Sequence, residues 1–393
     1  MKKRLTILMA ALLIFGLCAC ANTAPASTEA PTMEAPAEAP TTEAPTEESY
    51  DGVLVEDGDM TVEYAKNFSI KLYKGGYRMI TGGSEGKRFL VVPEGMTVPA
   101  DLDGDVAVLQ QPIDKMYVAS ANMMGLLDEL DALSTVKLVA TDVSGWHLPN
   151  IKAAMEAGSI AYSGKYDAPD FEMITNANIQ LHVDTGMIDS APEVEEKFDE
   201  LGIPSLVENS SAESHPLGRI EWVKAYGVIL GMEEEANALF EAKKEIYNAC
   251  LDSEGTGITA GLGYLSTSGK GYARNGGDYL AQMIDLVGGQ YIQKDMNPDK
   301  AGNASMTVEE WYAMFKDADY LFYWNIGEKF YTIEEMIAYN PLFADFKSVQ
   351  NGNVWITAPD WSQTSLINVM QDMYTIFHSG DGDVTTDHLI KIQ

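Results

Sequence analysis

The chain has 393 residues, 46% of them hydrophobic, and its 26 basic and 59 acidic side chains give a net charge of −33. A chain this acidic repels nucleic-acid phosphates and anionic membrane surfaces, so neither is an expected partner. Three cysteines, two of them at positions 18 and 20, exclude a disulfide framework and a thiolate metal site.

The N-terminus places Lys2, Lys3 and Arg4 ahead of an almost wholly apolar run, Leu5 to Leu17. The run is too short to span a bilayer comfortably and has the flanks of an export signal. Leu17-Cys18-Ala19-Cys20 resembles the bacterial lipobox, where cleavage precedes the cysteine and a lipid is attached to it. That resemblance implies a signal peptide over 1–19, lipidation of Cys20, and anchorage to the outer face of the cell membrane. An ordinary signal peptide or a short anchor is the alternative. Loss of the leader leaves 23 cations against 59 acids, a net charge of −36. From Ala21 to Ser49 the chain is Ala, Pro, Thr and Glu, with Glu-Ala-Pro at Glu34-Ala35-Pro36, Glu38-Ala39-Pro40 and Glu43-Ala44-Pro45. Such a segment buries too little surface to offset its chain entropy, which predicts a disordered tether over 20–50. No later stretch is apolar for long enough to cross a membrane, so any transport role needs a separate membrane partner.

From about residue 51 the composition is globular, and the length suits two domains of roughly 150 residues each. Val53 to Leu109 reads as strands, among them Phe68 to Tyr73 and Phe89 to Val92, punctuated by Gly75-Gly76 and Gly82-Gly83. Helix and strand then alternate. Helices are predicted over 122–133, 151–157, 171–176 and 192–201, with strands at 136–140, 179–183 and 205–207. This rhythm predicts a parallel sheet covered by helices. It breaks at two helices, 218–230 and 232–251, separated only by Gly231; Ala236, Leu239, Phe240, Lys243 and Ile246 form the stripe of the second, which holds Cys250 near its end as a small buried residue. The rhythm restarts with strands at 258–265, 320–324 and 354–356 and helices at 278–287, 307–316, 333–338 and 365–377. The expected organisation is an N-terminal α/β lobe over 51–230, an interlobe helix over 231–252 and a C-terminal α/β lobe over 253–393, with a ligand cleft between the lobes.

This order resembles the substrate-binding proteins of ABC importers, most closely the subclass for iron–siderophores, haem and cobalamin, whose lobes are joined by one rigid helix. The resemblance covers about Val53 to Phe377 and rests on Thr175 to Asp184, Gly202-Ile203-Pro204, Gly231 to Ala236, Leu286-Val287-Gly288-Gly289 and Asn351 to Trp355. Asn178-Ile179-Gln180-Leu181-His182 departs from the family's wording. The resemblance implies a monomeric, non-enzymatic binding protein working with a permease and its ATPase. It also implies one acidic docking residue on each lobe, matched here by Glu172 and Glu309, although both also suit ordinary helix starts.

Ligands of open α/β lobes collect at the carboxyl ends of the strands. Lobe one offers Trp146 and His147 after one strand, and Glu208, His215 and Arg219 after another. Arg219 falls in the first turns of a helix started by Pro216, where a cation opposes the macrodipole. It therefore calls for an anion: an acidic ligand, or a carboxylate such as Glu221 or Glu208. The two histidines are candidate ligands to iron or haem, or supports of their turns. Lobe two offers Tyr272 and Arg274 in the loop after 258–265, Trp324 closing the next strand, and Trp361 after the last. Aromatic faces with one or two cations suit a large planar or catecholate ligand, and the tryptophans suit buried supports equally. A ferric siderophore ranks first, haem or cobalamin next. Bare zinc or manganese needs three or four His and carboxylate ligands, and only His147 and His215 stand in cleft loops.

Other signals are weaker. Gly255 to Gly261 runs into a strand without a phosphate-binding lysine, and the acidic turns 101–105 and 381–383 lack the ligands of an EF-hand. There is no His-Glu-x-x-His helix. A lipid-anchored hydrolase, and a surface adhesin without a small ligand, are the competing readings.

Overall fold

The computed structural model describes residues 53–83, 86–359, 362–380 and 384–393. The leader, Cys20, the tether and Trp361 lie outside the described residues. Five strands come first: β1 (Glu56–Asp59), β2 (Phe68–Tyr73), β3 (Arg78–Gly82), β4 (Lys87–Val92) and β5 (Val106–Gln110). They form one sheet in that order, antiparallel as far as β4, with β5 parallel to β4. Strand alternation buries Phe68 and Ile70 and exposes Ser69 and Lys71. One face closes a small core of Tyr77, Met79, Leu90 and Val92, while Ile70, Ile80, Phe89 and Val91 join the main core.

The next lobe runs β6 (Met116–Val118), α1 (Ala121–Glu129), β7 (Val136–Val139), α2 (Pro149–Glu156), β8 (Ala161–Tyr162), a short ribbon of β9 (Gly164–Lys165) and β10 (Ala168–Pro169), α3 (Phe171–Asn176), β11 (Leu181–Thr185), α4 (Pro192–Glu200) and β12 (Ser205–Glu208). Its sheet has the order β12-β11-β6-β7-β8 and is parallel throughout. The chain steps outward from β6 to β8, then crosses back to β11 on the other side of β6. That reversal opens a crevice at the carboxyl ends of β6, β7 and β11.

Three helices follow: α5 (Pro216–Glu221), α6 (Val223–Leu230) and α7 (Glu233–Ala249). The single helix expected over 218–230 is two, and α7 is 17 residues long, about 25 Å. Gly231 caps α6 in the left-handed region (φ 71°), and Gly227 has no room for a Cβ beside Ala236, so α6 and α7 pack backbone to backbone.

The last lobe runs β13 (Thr259–Leu265), β14 (Gly271–Arg274), α8 (Tyr279–Leu286), β15 (Gln290–Tyr291), β16 (Asn303–Met306), α9 (Val308–Phe315), β17 (Tyr320–Tyr323), α10 (Ile333–Tyr339), α11 (Lys347–Gln350), β18 (Val354–Thr357), α12 (Leu366–His378) and β19 (Leu389–Lys391). The β13–β15, β13–β17 and β17–β18 pairings are parallel, whereas the β13–β14, β14–β16 and β18–β19 pairings are antiparallel. This sheet is therefore mixed, not wholly parallel. The loop expected at 266–275 is a hairpin into β14, closed by Ser266 N–H donating to the Lys270 carbonyl (2.8 Å).

Two buried glutamates lock the first sheet to the helices. The Glu221 carboxylate accepts from the backbone N–H groups of Glu63 (2.8 Å), Tyr64 (2.7 Å) and Ala65 (2.9 Å), and from Lys224 Nζ (2.8 Å). Glu213 accepts from the N–H groups of Lys66 (3.0 Å) and Asn67 (2.9 Å) and from Trp222 Nε1 (3.2 Å). Lys224 also donates to the Thr61 carbonyl (2.9 Å) and lies 4.2 Å from the Phe240 ring centroid. Burial alone would raise the Glu221 carboxyl, but Lys224 and the three N–H groups outweigh it and hold it below its ordinary value.

The lobes meet along a seam. Lys243 of α7 pairs with Glu129 of α1 (2.6 Å) and bonds Asn368 of α12 (2.9 Å). Gly125 of α1 lies so close to Thr364 that a Cβ would stand 2.7 Å from its methyl carbon.

Removing the Glu221 carboxylate strands a buried ammonium and three N–H groups. Glu221→Ala is expected to cost about 3–5 kcal/mol in urea unfolding, with partial recovery in Glu221→Ala/Lys224→Met. Because the folded Glu221 value is depressed, its contribution is complete above the unfolded value and is lost as pH falls through the folded one; wild type therefore loses stability more steeply than Glu221→Gln in acid unfolding below about pH 4.3. Gly125→Val should wedge the seam, costing about 1–3 kcal/mol and enlarging the radius of gyration in X-ray scattering, and Thr364→Gly should reverse both.

Candidate ligand cleft

The strand ends of lobe one border a cavity of about 610 Å³, whose lining includes Asn122, Thr141, Tyr166, Asp184, Thr185, Met187, Asn209 and Ser211. Each stands at the carboxyl end of β11, just after β6, β7, β11 or β12, or on the ribbon beside them. The wall is amphipathic: Met187 is exposed, Tyr166 offers a ring, and Asn122, Thr185 and Asn209 offer short polar groups.

Arg219 connects this cavity to lobe two. Its Nη2 donates to the carbonyl of Ser211 (2.6 Å), and its guanidinium lies 3.9 Å from the ring centroid of Tyr279 on α8. It is only 8% exposed, and its Nε has no hydrogen-bond partner among the described residues. Burial pushes the guanidinium down, Tyr279 and Asp278 oppose that, and Arg274 adds to it. The carboxylates expected as alternative partners are engaged elsewhere. Glu221 holds the 63–65 backbone, and the fully buried Glu208 accepts from Ser120 Oγ (2.7 Å) and Ser210 N–H (2.9 Å). Burial raises Glu208, and the serine hydrogen bonds oppose that rise.

Lobe two contributes one face of β14. Tyr272 and Arg274 project together, as alternation requires. Tyr272 stacks on Tyr264 at 5.0 Å and 6°. Arg274 lies 5.9 Å from the Trp324 ring centroid, with Nη1 3.6 Å from Asp278 Oδ2. Asp278 is divided among several partners: it also caps α8 at Leu280 N–H (3.0 Å) and accepts from Gly302 N–H (2.8 Å). Two guanidiniums thus face one shared carboxylate, which leaves a net positive spot in a chain of net charge −33.

The remaining predicted residues fall in different places. Trp146 is buried and its indole N–H donates to the Thr141 carbonyl (3.1 Å), so it braces the loop that lines the cavity. Trp324 is buried beneath Arg274. His147 is exposed. His215 does not meet it across the cleft mouth. Its Nδ1 accepts from Leu217 N–H (3.1 Å) to cap α5, its ring packs on Tyr64 at 4.6 Å, and Nε2 lies 3.5 Å from the Tyr247 hydroxyl. The unpaired N–H at the helix start explains that position. Glu172 and Glu309 are exposed in the first turns of α3 and α9; at α9 the capping box uses Glu310 with Thr307 and leaves Glu309 outward. Asn122, Tyr166, Asp184, Thr185, Asn209, Ser211 and Tyr279 were not singled out by sequence. The strand-end rule would have found Thr185 and Asn209 had β11 and β12 been extended by their last residues.

No family model matches the chain. It is 26% identical over 348 residues to an uncharacterized lipoprotein of Methanocaldococcus jannaschii, with 81% of each chain covered. Among solved structures it is similar to the TroA-like periplasmic binding protein FepB of Veillonella parvula, at a TM-score of 0.56 and 14% identity, covering 72% of this chain and 96% of that one. It is also similar to a periplasmic haem-binding protein of Pseudomonas aeruginosa, at a TM-score of 0.53 and 14% identity, covering 71% and 98%. The chain has the two-lobed α/β fold of these periplasmic binding proteins.

Proposed function

We propose that this protein is the extracytoplasmic solute-binding component of an ABC importer, held at the membrane through a lipid on Cys20, and that it captures an anionic metal chelate between its lobes. A ferric siderophore is the first choice, haem or cobalamin the next. The observation that carries the reading is Arg219: a buried guanidinium at the junction of the lobes, with an unsatisfied Nε and every nearby carboxylate but Asp278 committed elsewhere. A carboxylate or phenolate is the group that completes it. Tyr272, Arg274 and Trp324 supply aromatic area and a second cation, Trp146 supports the loop on the other side, and His147, His215 and Trp361 stay on the mutational target list. The likeness to a periplasmic haem-binding protein supports a metal chelate. Among the described residues no group of three or more His, Cys, Asp or Glu side chains stands together to hold a bare metal ion, so the metal arrives with its own ligands.

Delivery requires a second contact. Glu172 and Glu309 are the proposed docking residues, one on each lobe, for arginines of the permease. No helix of the described residues is long and apolar enough to cross a membrane, which leaves passage to the partner. The hydrolase reading loses ground on one geometry. Ser205, His182 and Asp184 stand in line, with Ser205 Oγ 2.8 Å from His182 Nδ1, but all three are buried and the serine lies a rung below the cavity floor.

The test is titration of the soluble chain from Tyr50 onward with ferric siderophores, haemin, cobalamin and divalent metal salts, read by tryptophan fluorescence and thermal shift. Saturable stabilisation by one chelate is expected; silence across the whole set contradicts the reading. Arg219→Met and Arg274→Met should each weaken that chelate at least ~10-fold, the loss of a charge-assisted hydrogen bond. Glu172→Lys and Glu309→Lys should leave chelate binding unchanged and abolish stimulation of the permease-coupled ATPase in proteoliposomes.

A further inference from the structure

Four buried side-chain polar atoms without an aligned hydrogen-bond partner gather under the cavity floor: Tyr117 Oη, Ser163 Oγ, His182 Nε2 and Asp184 Oδ2. Asp184 is 1% exposed and belongs to the cavity lining. Its Oδ1 accepts from Thr185 N–H (2.7 Å), while Oδ2 lies 3.4 Å from His182 Nε2 without hydrogen-bond alignment. The His182 ring is fixed on three sides, by Phe198 at 3.8 Å, Tyr117 at 4.9 Å and the Ser205 hydroxyl at 2.8 Å. Burial pushes this imidazole down, with Asp184 opposing, and Asp184 also acts on the Tyr117 hydroxyl beside Ser163.

A buried carboxylate oxygen with no donor is costly, and native proteins keep such a group where something else completes it. No neighbouring side chain is aligned to donate to Oδ2, and the cavity that Asp184 lines is the side from which a donor can approach. We propose that Asp184, backed by His182, Tyr117 and Ser163, forms a second subsite in the lobe-one wall that takes an N–H donor of the bound molecule, an amine or amide arm. This deepens the proposed solute-binding function and rests on it. A carboxylate oxygen accepts, whereas the hydroxyls of Tyr117 and Ser163 turn to suit either partner. The cleft then reads two ends of one molecule: anionic groups at Arg219, an N–H arm at Asp184. A chelate with acid groups but no N–H arm fits only half of it.

The test compares wild type with Asp184→Asn and Asp184→Ala. In the empty protein, the asparagine keeps the acceptor for Thr185 and replaces a buried carboxylate oxygen that lacks an aligned donor with a neutral amide group. Asp184→Asn is expected to raise the thermal midpoint of the ligand-free chain by about 2 °C. A fall in the midpoint would mean that Asp184 is a structural support and would overturn the subsite. Methylammonium chloride is the direct probe. It should raise the midpoint of wild type but not of Asp184→Asn or Asp184→Ala, with sodium chloride at equal ionic strength as the control. An equal response from all three proteins also overturns the proposal. These measurements need no chelate, so a chelate set that fails to bind wild type counts against the solute-binding reading alone.

Discussion

The structure depends on two glutamates that have been taken out of water. Glu221 and Glu213 between them gather five backbone N–H groups from residues 63–67, along with Lys224 and the Trp222 indole. A buried carboxylate is tolerable only when its lone pairs are filled, and here they are filled by a turn far away in sequence. One contact therefore fixes the first sheet, the α5–α6 pair and, through Phe240, the α7 helix as one body. Arg78 with Glu233 (3.1 Å) and Lys87 with Glu195 (3.1 Å) add half-exposed ion pairs around its edge, which matter less.

The lobes also meet at the opposite seam. There, Gly125 faces Thr364, Lys243 reaches both α1 and α12, and the Arg219 guanidinium rests on Tyr279. Arg219 occupies both places at once. Its backbone belongs to the short α5 helix beside the glutamate lock, and its side chain reaches the surface of lobe two. In the proposed function the residue that meets the anion is therefore one that both lobes touch. The same low dielectric that makes an unpaired Nε costly makes an anion there effective.

Much of this architecture was legible in the sequence. The alternation of helix and strand, the break at Gly231 and the long stripe of α7 all come from local periodicity and one left-handed glycine, which are properties of neighbouring residues. What escaped was decided by distant pairing. β14, Gly271-Tyr272-Ala273-Arg274, has little strand propensity and exists because β13 and β16 flank it. The arginine at 219 was recognised as needing an anion, yet which carboxylates were free for it depended on Glu208 turning to Ser120 and Glu221 to residue 63, across 88 and 158 positions. His215 looked like a ligand because a histidine beside a proline stands out in text; its capping role is visible only once Tyr64 and Tyr247 surround it. Asp184 was hidden by an error of two residues in the end of β11.

The central claim is mechanical: the first sheet and the interlobe helices move as one body because Glu213 and Glu221 hold residues 63–67. Residue-resolved hydrogen exchange of the ligand-free chain tests it most directly. The account predicts that the amides of Glu63, Tyr64, Ala65, Lys66 and Asn67, although they lie between strands, exchange as slowly as those of β6 and β11, and that Glu221→Gln accelerates the first three. Exchange at ordinary loop rates in the wild type, unchanged by Glu221→Gln, would contradict it.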